Sequence, residues 1–198
     1  FTITSGTFDN GTLANTYIAG NLVNNGGQFA PGNGTVNFTG TAAQAITGTV
    51  SSLDLNNINI NKSSSTLSVS GSVASLNVNG DVTLSAGTFD KGTATTINAA
   101  GNWISNGGTF TPGTGIVNFN GSGAQAINGS AGSSSFYNTV VNKAGSTLTL
   151  GNNHTLNIGG NATLTAGTFD AGSATTINLT GGNWTNNGAT FTPATSTV

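Results

Sequence analysis

The sequence predicts an all-β chain wound as a parallel β-solenoid. Three observations lead there: a long internal repeat, period-2 alternation inside it, and a scarcity of charge and helix formers. Charged residues are 4% of the 198, against about 25% in an ordinary domain. There are three Lys, five Asp, 31 Gly and no Cys or Met. Thr, Val, Ile and Phe favour strands, whereas Glu, Arg and Met, which favour helices, are absent. Ten Phe and many β-branched residues argue against disorder.

The repeat is the main signal. Gly6-Thr7-Phe8-Asp9 recurs as Gly87-Thr88-Phe89-Asp90 and as Gly167-Thr168-Phe169-Asp170. Gly34-Thr35-Val36-Asn37-Phe38 matches Gly115-Ile116-Val117-Asn118-Phe119, and Ala43-Gln44-Ala45-Ile46 matches Ala124-Gln125-Ala126-Ile127. Asn61-Lys62 matches Asn142-Lys143 in the same register. The chain therefore divides into repeat unit 1 (1–81), repeat unit 2 (82–161) and a partial unit 3 (162–198), read as one continuous solenoid.

Within a unit the strands are short. Thr147-Leu148-Thr149-Leu150, Thr155-Leu156-Asn157-Ile158 and Thr176-Ile177-Asn178-Leu179 alternate apolar with polar residues, the mark of a sheet with one buried face. Asn25-Gly26-Gly27, Asn106-Gly107-Gly108 and Gly151-Asn152-Asn153 supply tight corners. Segments 82–101 and 102–121 share a strand, corner, Phe and strand order. That sub-period suggests coils of roughly 20 residues and about four coils per unit. Tandem β-sandwich domains of about 80 residues are the alternative, but composition does not shift at the unit junctions. Stacked coils also account for the low charge: like charges would repel at ~4.8 Å, whereas Asn forms amide ladders and Thr or Val stack in columns.

The segment Gly101–Gly121, with Gly123-Ala124-Gln125-Ala126-Ile127, resembles the Gly/Asn/Thr-rich repeats of large bacterial surface proteins, the filamentous-haemagglutinin-like adhesins. The resemblance is one of repeat style and covers the whole chain. It implies secretion, extracellular display at the cell surface and a β-solenoid stalk, and it carries over no catalytic residue.

The candidate polar positions each have a plain structural reading. Asp9-Asn10-Gly11, Asp90-Lys91-Gly92 and Asp170-Ala171-Gly172 suggest Asx-type corners with Asp9, Asp90 and Asp170 bonded to nearby amides. Calcium ligation by the same three acids is the weaker reading, because no second acid accompanies each copy. Phe8, Phe89 and Phe169, Phe29, Phe110 and Phe191, and Phe38 with Phe119 are expected as stacked core columns. Trp103 and Trp184 share the phase of Leu22, which favours packing over a sugar platform. Lys62 and Lys143 are expected at a solvated corner, and His154, the only histidine, in an exposed loop.

Function classes narrow accordingly. Net charge −2 with three lysines offers no footprint for nucleic acid, and no apolar run is long enough for a membrane span. No cofactor is implied, and an enzyme is not expected. A carbohydrate-active β-helix would need paired acids 5–10 Å apart, and only Asp81 with Asp90 remains possible. A Thr face for ice is disfavoured because Thr-x-Thr shifts along the unit. The leading expectation is an extracellular structural protein forming a fibre, stalk or surface matrix, its partner being itself as homopolymer or longer parent chain. Phe1 and Val198 fall at strand phases, which suggests uncapped ends. The alternative is an adhesin module for surface glycans or other cells.

Overall fold

The computed structural model describes residues 1–9, 11, 15–30, 32–173 and 175–198. Among these residues there is no helix, and 23 strands are joined by turns and bends. Their pairings are parallel: Asn15 faces Thr35, Thr2 faces Val23 and Leu22 faces Ile46, offsets of 20 to 24 residues. Parallel pairing at this spacing makes a β-solenoid, since a sandwich is built from antiparallel strands.

Three strands complete one coil. Thr2–Ile3, Thr7–Asp9 and Asn15–Ile18 form the first; Leu22–Asn24, Gln28–Ala30 and Thr35–Phe38 lie on them in the same order. Higher up, Asn57–Val69, Val82–Asp90, Asn138–Leu150 and Ala162–Asp170 each turn a corner and serve two faces. Thus Val82 pairs with Ile58 and Trp103 on one face, while Phe89 pairs with Leu67 and Phe110 on the next.

The repeat and the coil are out of step. Counting each corner-turning strand twice, eleven strand segments separate Thr7–Asp9 from residues 88–90, and eleven more lead to 168–170. A unit is therefore three and two-thirds coils, not four. Each unit is turned by one face relative to the one before, so equivalent residues of successive units do not stack. Coil-to-coil register aligns threonines that shift along the sequence: Thr66, Thr88 and Thr109 form one row, as do Thr155, Thr176 and Thr197. The row beside them is mixed, with Ser68, Asp90 and Thr111 in register, so no regular Thr-x-Thr face results.

Inward phases build the core. Val36, Ile58, Val82, Trp103, Ile127 and Leu150 are register partners in six successive coils and are all buried. Full burial of each aliphatic side chain contributes about 1.5–3 kcal/mol. The face containing this column is laddered without interruption from Asn15–Ile18 to Thr190–Thr192. Each of the other two faces is broken once. No ladder joins Gln28–Ala30 to Ser52–Leu55, or Thr109–Thr111 to Ser133–Phe136, although each pair lies in adjacent coils.

Candidate functional site

The repeated aspartates sit at corners on three different faces. In each, Oδ1 accepts from the amide two residues on: Gly11 to Asp9 at 2.7 Å, Gly92 to Asp90 at 2.9 Å and Gly172 to Asp170 at 3.0 Å. Among the described residues no three His or Asp side chains cluster closely enough to hold a metal ion.

The phenylalanines stack within a unit, one coil apart. Ring centroids are 5.6 Å apart for Phe8–Phe29, 5.4 Å for Phe89–Phe110 and 5.7 Å for Phe169–Phe191. Phe38 and Phe119 are buried on different faces, Phe38 pairing with Ile60 and Phe119 with Val141. Trp103 is fully buried, wedged edge-on between Phe110 and Phe136; Trp184 is partly buried against Phe191.

Lys62 and Lys143 are not at a solvated corner: both are 0% exposed. The Lys62 ammonium donates to the carbonyls of Gly40 at 2.7 Å and Ala42 at 2.9 Å, and to Gln44 Oε1. Gln44 in turn donates to the Ile18 carbonyl at 2.9 Å and accepts from the Gly40 amide at 3.1 Å. Lys143 repeats this with Gly121, Gly123 and Gln125, and Gln125 donates to Ala99 and Gly101. Each Gln–Lys pair thus ties successive coils from inside. Full use of the ammonium donors is what makes a buried cation tolerable without a counter-ion. Burial still pushes both lysines down, Lys143 to about 8.

The two breaks in the wall are equivalent places in units 1 and 2. In each, the chain leaves the ladder at a glycine with positive φ, Gly48 (141°) and Gly129 (124°). A Cβ there would overlap the carbonyl oxygen of Asn24 or Ser105. Those carbonyls accept instead from the amides of Thr49 at 3.0 Å and Ala131 at 2.9 Å, which holds the arriving strand away. Openings of about 180 Å³ in unit 1 and 220 Å³ in unit 2 remain.

What lies behind them differs. Unit 1 has Leu22, Asn24, Leu53 and Val73, with Asn24 Oδ1 occupied by the Gly26 amide at 3.1 Å. The corresponding residues of unit 2 are Trp103, Ser105, Ser134 and His154. His154 is not in an exposed loop: it is 2% exposed, with Nε2 3.0 Å from Ser134 Oγ, which is itself 3.0 Å from Ser105 Oγ. Burial lowers its pKa below the usual 6.5, so the ring is neutral at physiological pH. Among the described residues the buried Trp103 Nε1 has no hydrogen-bond partner. The sequence signal for this cluster is a local difference between units: polar residues at inward phases where unit 1 is mostly apolar.

Outside, amides stack as ladders. Asn37 donates to Asn15 and Asn59 to Asn37, both at 3.1 Å. On another face Asn77 donates to Asp54 at 2.5 Å, Asn98 to Asn77 at 2.8 Å and Asn118 to Asn98 at 2.9 Å. An open groove of about 500 Å³ beside the second ladder is lined by Asn79, Asn120 and Ser122 as well. No protein-family model matches the chain, and no curated protein or solved structure is significantly similar to it.

Proposed function

We propose that the chain is a stretch of an extracellular structural solenoid, a stalk, fibre or surface-matrix element that works through its shape and surface rather than by turnover. The supporting observation is the continuous ladder of nine strands on one face, with Gln–Lys pairs tying successive coils inside and the Asn15–Asn37–Asn59 amide ladder tying its first three strands outside. With ~4.8 Å per coil, that face runs ~38 Å from its first strand to its last. Low charge lessens repulsion between neighbouring rods and so favours lateral or end-to-end self-association. Resemblance in repeat style to bacterial surface proteins supports placement outside the cell. Negative-stain microscopy of the concentrated chain tests the assembly. Fibres or bundled rods are the expected result; monodisperse single particles at every concentration would overturn it.

The open amide groove beside Asp54, Asn77 and Asn98 favours a second reading, an adhesin module. Rows of amide donors and acceptors suit the hydroxyls of a neutral glycan. A glycan array with the intact chain separates the two readings, since a passive stalk binds nothing.

A further inference from the structure

We propose that Ser134 is a nucleophile activated by His154, able to accept a short acyl group from an activated ester through the opening in unit 2. A serine hydroxyl is a weak nucleophile unless a base stands within hydrogen-bonding reach, and the Nε2 of His154 lies 3.0 Å from Ser134 Oγ. The hydroxyl has one proton and two lone pairs. Both 3.0 Å contacts are satisfied when Ser105 donates to Ser134 and Ser134 donates to the ring. That arrangement holds the attacking oxygen with its proton already directed to the base. Ser134 and Ser105 both line the opening, with Trp103 and Phe110 as its apolar walls. His154 is buried and neutral, and no charged side chain contributes to its shift.

Backbone geometry adds a place for negative charge. Thr155 and Gly159 donate to the carbonyls of Gly132 and Phe136, so alternate residues of Ser133–Phe136 point to the coil above. By the alternation of a parallel ladder, the amides of Ser133 and Ser135 point to the break, where no strand pairs with them. They flank Ser134 but stand ~6.6 Å apart along the strand, so a developing oxyanion can take a hydrogen bond from one of them and not from both.

The step is simple acyl transfer. Ser134 Oγ bonds to the ester carbonyl carbon, the carbon–alkoxide bond breaks, and the serine proton passes through His154 Nε2 to the departing alkoxide. The products are O-acylserine and an alcohol. An opening of about 220 Å³ admits short acyl chains and not a polymer. Unit 1 has Leu53 where Ser134 stands and Val73 where His154 stands, and it has no such chemistry.

The intact chain is incubated with p-nitrophenyl acetate, and acetylated peptides are quantified by mass spectrometry. Ser134 is expected to acetylate on the order of 100-fold faster than exposed Ser130, the usual size of general-base assistance. The rate should rise with pH in the acid range below 6.5, where His154 loses its proton, and should fall in His154→Gln. Ser134→Ala removes the fast product. A Ser134 rate no greater than that of Ser130 overturns the proposal. So does a wild-type rate that does not fall as acid protonates His154 while the chain stays folded by circular dichroism, a result independent of whether the histidine variant folds.

Discussion

The breaks in units 1 and 2 share their cause and differ in their contents. Both open where a glycine presses on the coil below and sends the next strand out of the ladder. Behind one stand Leu22 and Leu53; behind the other stand Trp103, Ser134 and His154. The wall geometry therefore belongs to the repeat, whereas the polar cluster belongs to one copy of it. A turn sequence can be kept for its backbone while the side chains it frames drift toward different chemistry.

The largest expected effect tests the shared cause. Gly129→Ala and Gly48→Ala each force a Cβ onto a carbonyl oxygen at a φ that side chains rarely adopt. Overlap and backbone strain together predict a loss of about 3 kcal/mol or more in each. Urea unfolding of the two variants checks it. Similar losses confirm that both openings have one origin; a loss in only one would separate them.

Exchanging the contents is the next largest test. Ser134→Leu leaves both His154 Nε2 and Ser105 Oγ buried without this partner, a cost of about 1–3 kcal/mol for each. Adding His154→Val removes the orphaned nitrogen and brings the site closer to unit 1, so the double variant should recover the histidine share of that loss while Ser105 stays unpaired. The reverse substitution, Leu53→Ser, loses apolar burial and gains an unsatisfied hydroxyl, and is expected to cost about 3 kcal/mol. A double-mutant cycle by thermal unfolding reads the coupling; additive losses would show that Ser134 and His154 do not act as a pair.

The solenoid class was legible in residues such as Leu148, Leu150, Leu156 and Ile158, whose alternation with polar neighbours matches their burial. The stacking partners were not. Phe8 meets Phe29 because the two are register partners one coil apart, whereas Phe89 lies more than three coils away and, with eleven strand segments per unit against three per coil, on another face. Identity between repeats reveals the unit but is silent on the turn between units. Lys62 and Lys143 read as surface residues because burying a cation is ordinarily prohibitive; the cage that permits it uses carbonyls of residues about 20 positions earlier. His154 follows Gly151-Asn152-Asn153, a corner signature, and nothing local shows that the ring turns inward to Ser134.

Titration sharpens the contrast between what the two units share and what one adds. Burial lowers Lys62, Lys143 and His154 in the folded chain. The unfolded chain holds each proton more tightly, so unfolding takes up protons and stability rises with pH between the folded and unfolded values. For Lys143 that interval runs from about 8 to 10.5; for His154 it lies below 6.5. Urea midpoints should therefore climb from pH 8 to 10.5, less steeply in Lys143→Met. His154→Val should remove an acid-side decline. A midpoint that falls between pH 8 and 10.5 would contradict the assignment of uncompensated buried ammonium groups.

The smallest effect concerns a structure that crosses both units without regard to the breaks. The ladder Asp54–Asn77–Asn98–Asn118 starts on the strand above the first opening and ends in unit 2. Asn98→Ala removes one donor to Asn77 and one acceptor for Asn118, groups partly open to water, so about 1 kcal/mol should be lost. If the amides polarise one another along the stack, the loss will exceed that of two isolated amide bonds. Comparing Asn98→Ala with Asn178→Ala, at the upper end of a shorter ladder, decides this: a loss at Asn98 of about twice that at Asn178 means independent bonds, because two bonds go against one, and a loss well beyond that means the ladder acts as a unit. The second outcome would make the outer wall, rather than the interior behind the openings, the part of the rod that transmits strain from coil to coil.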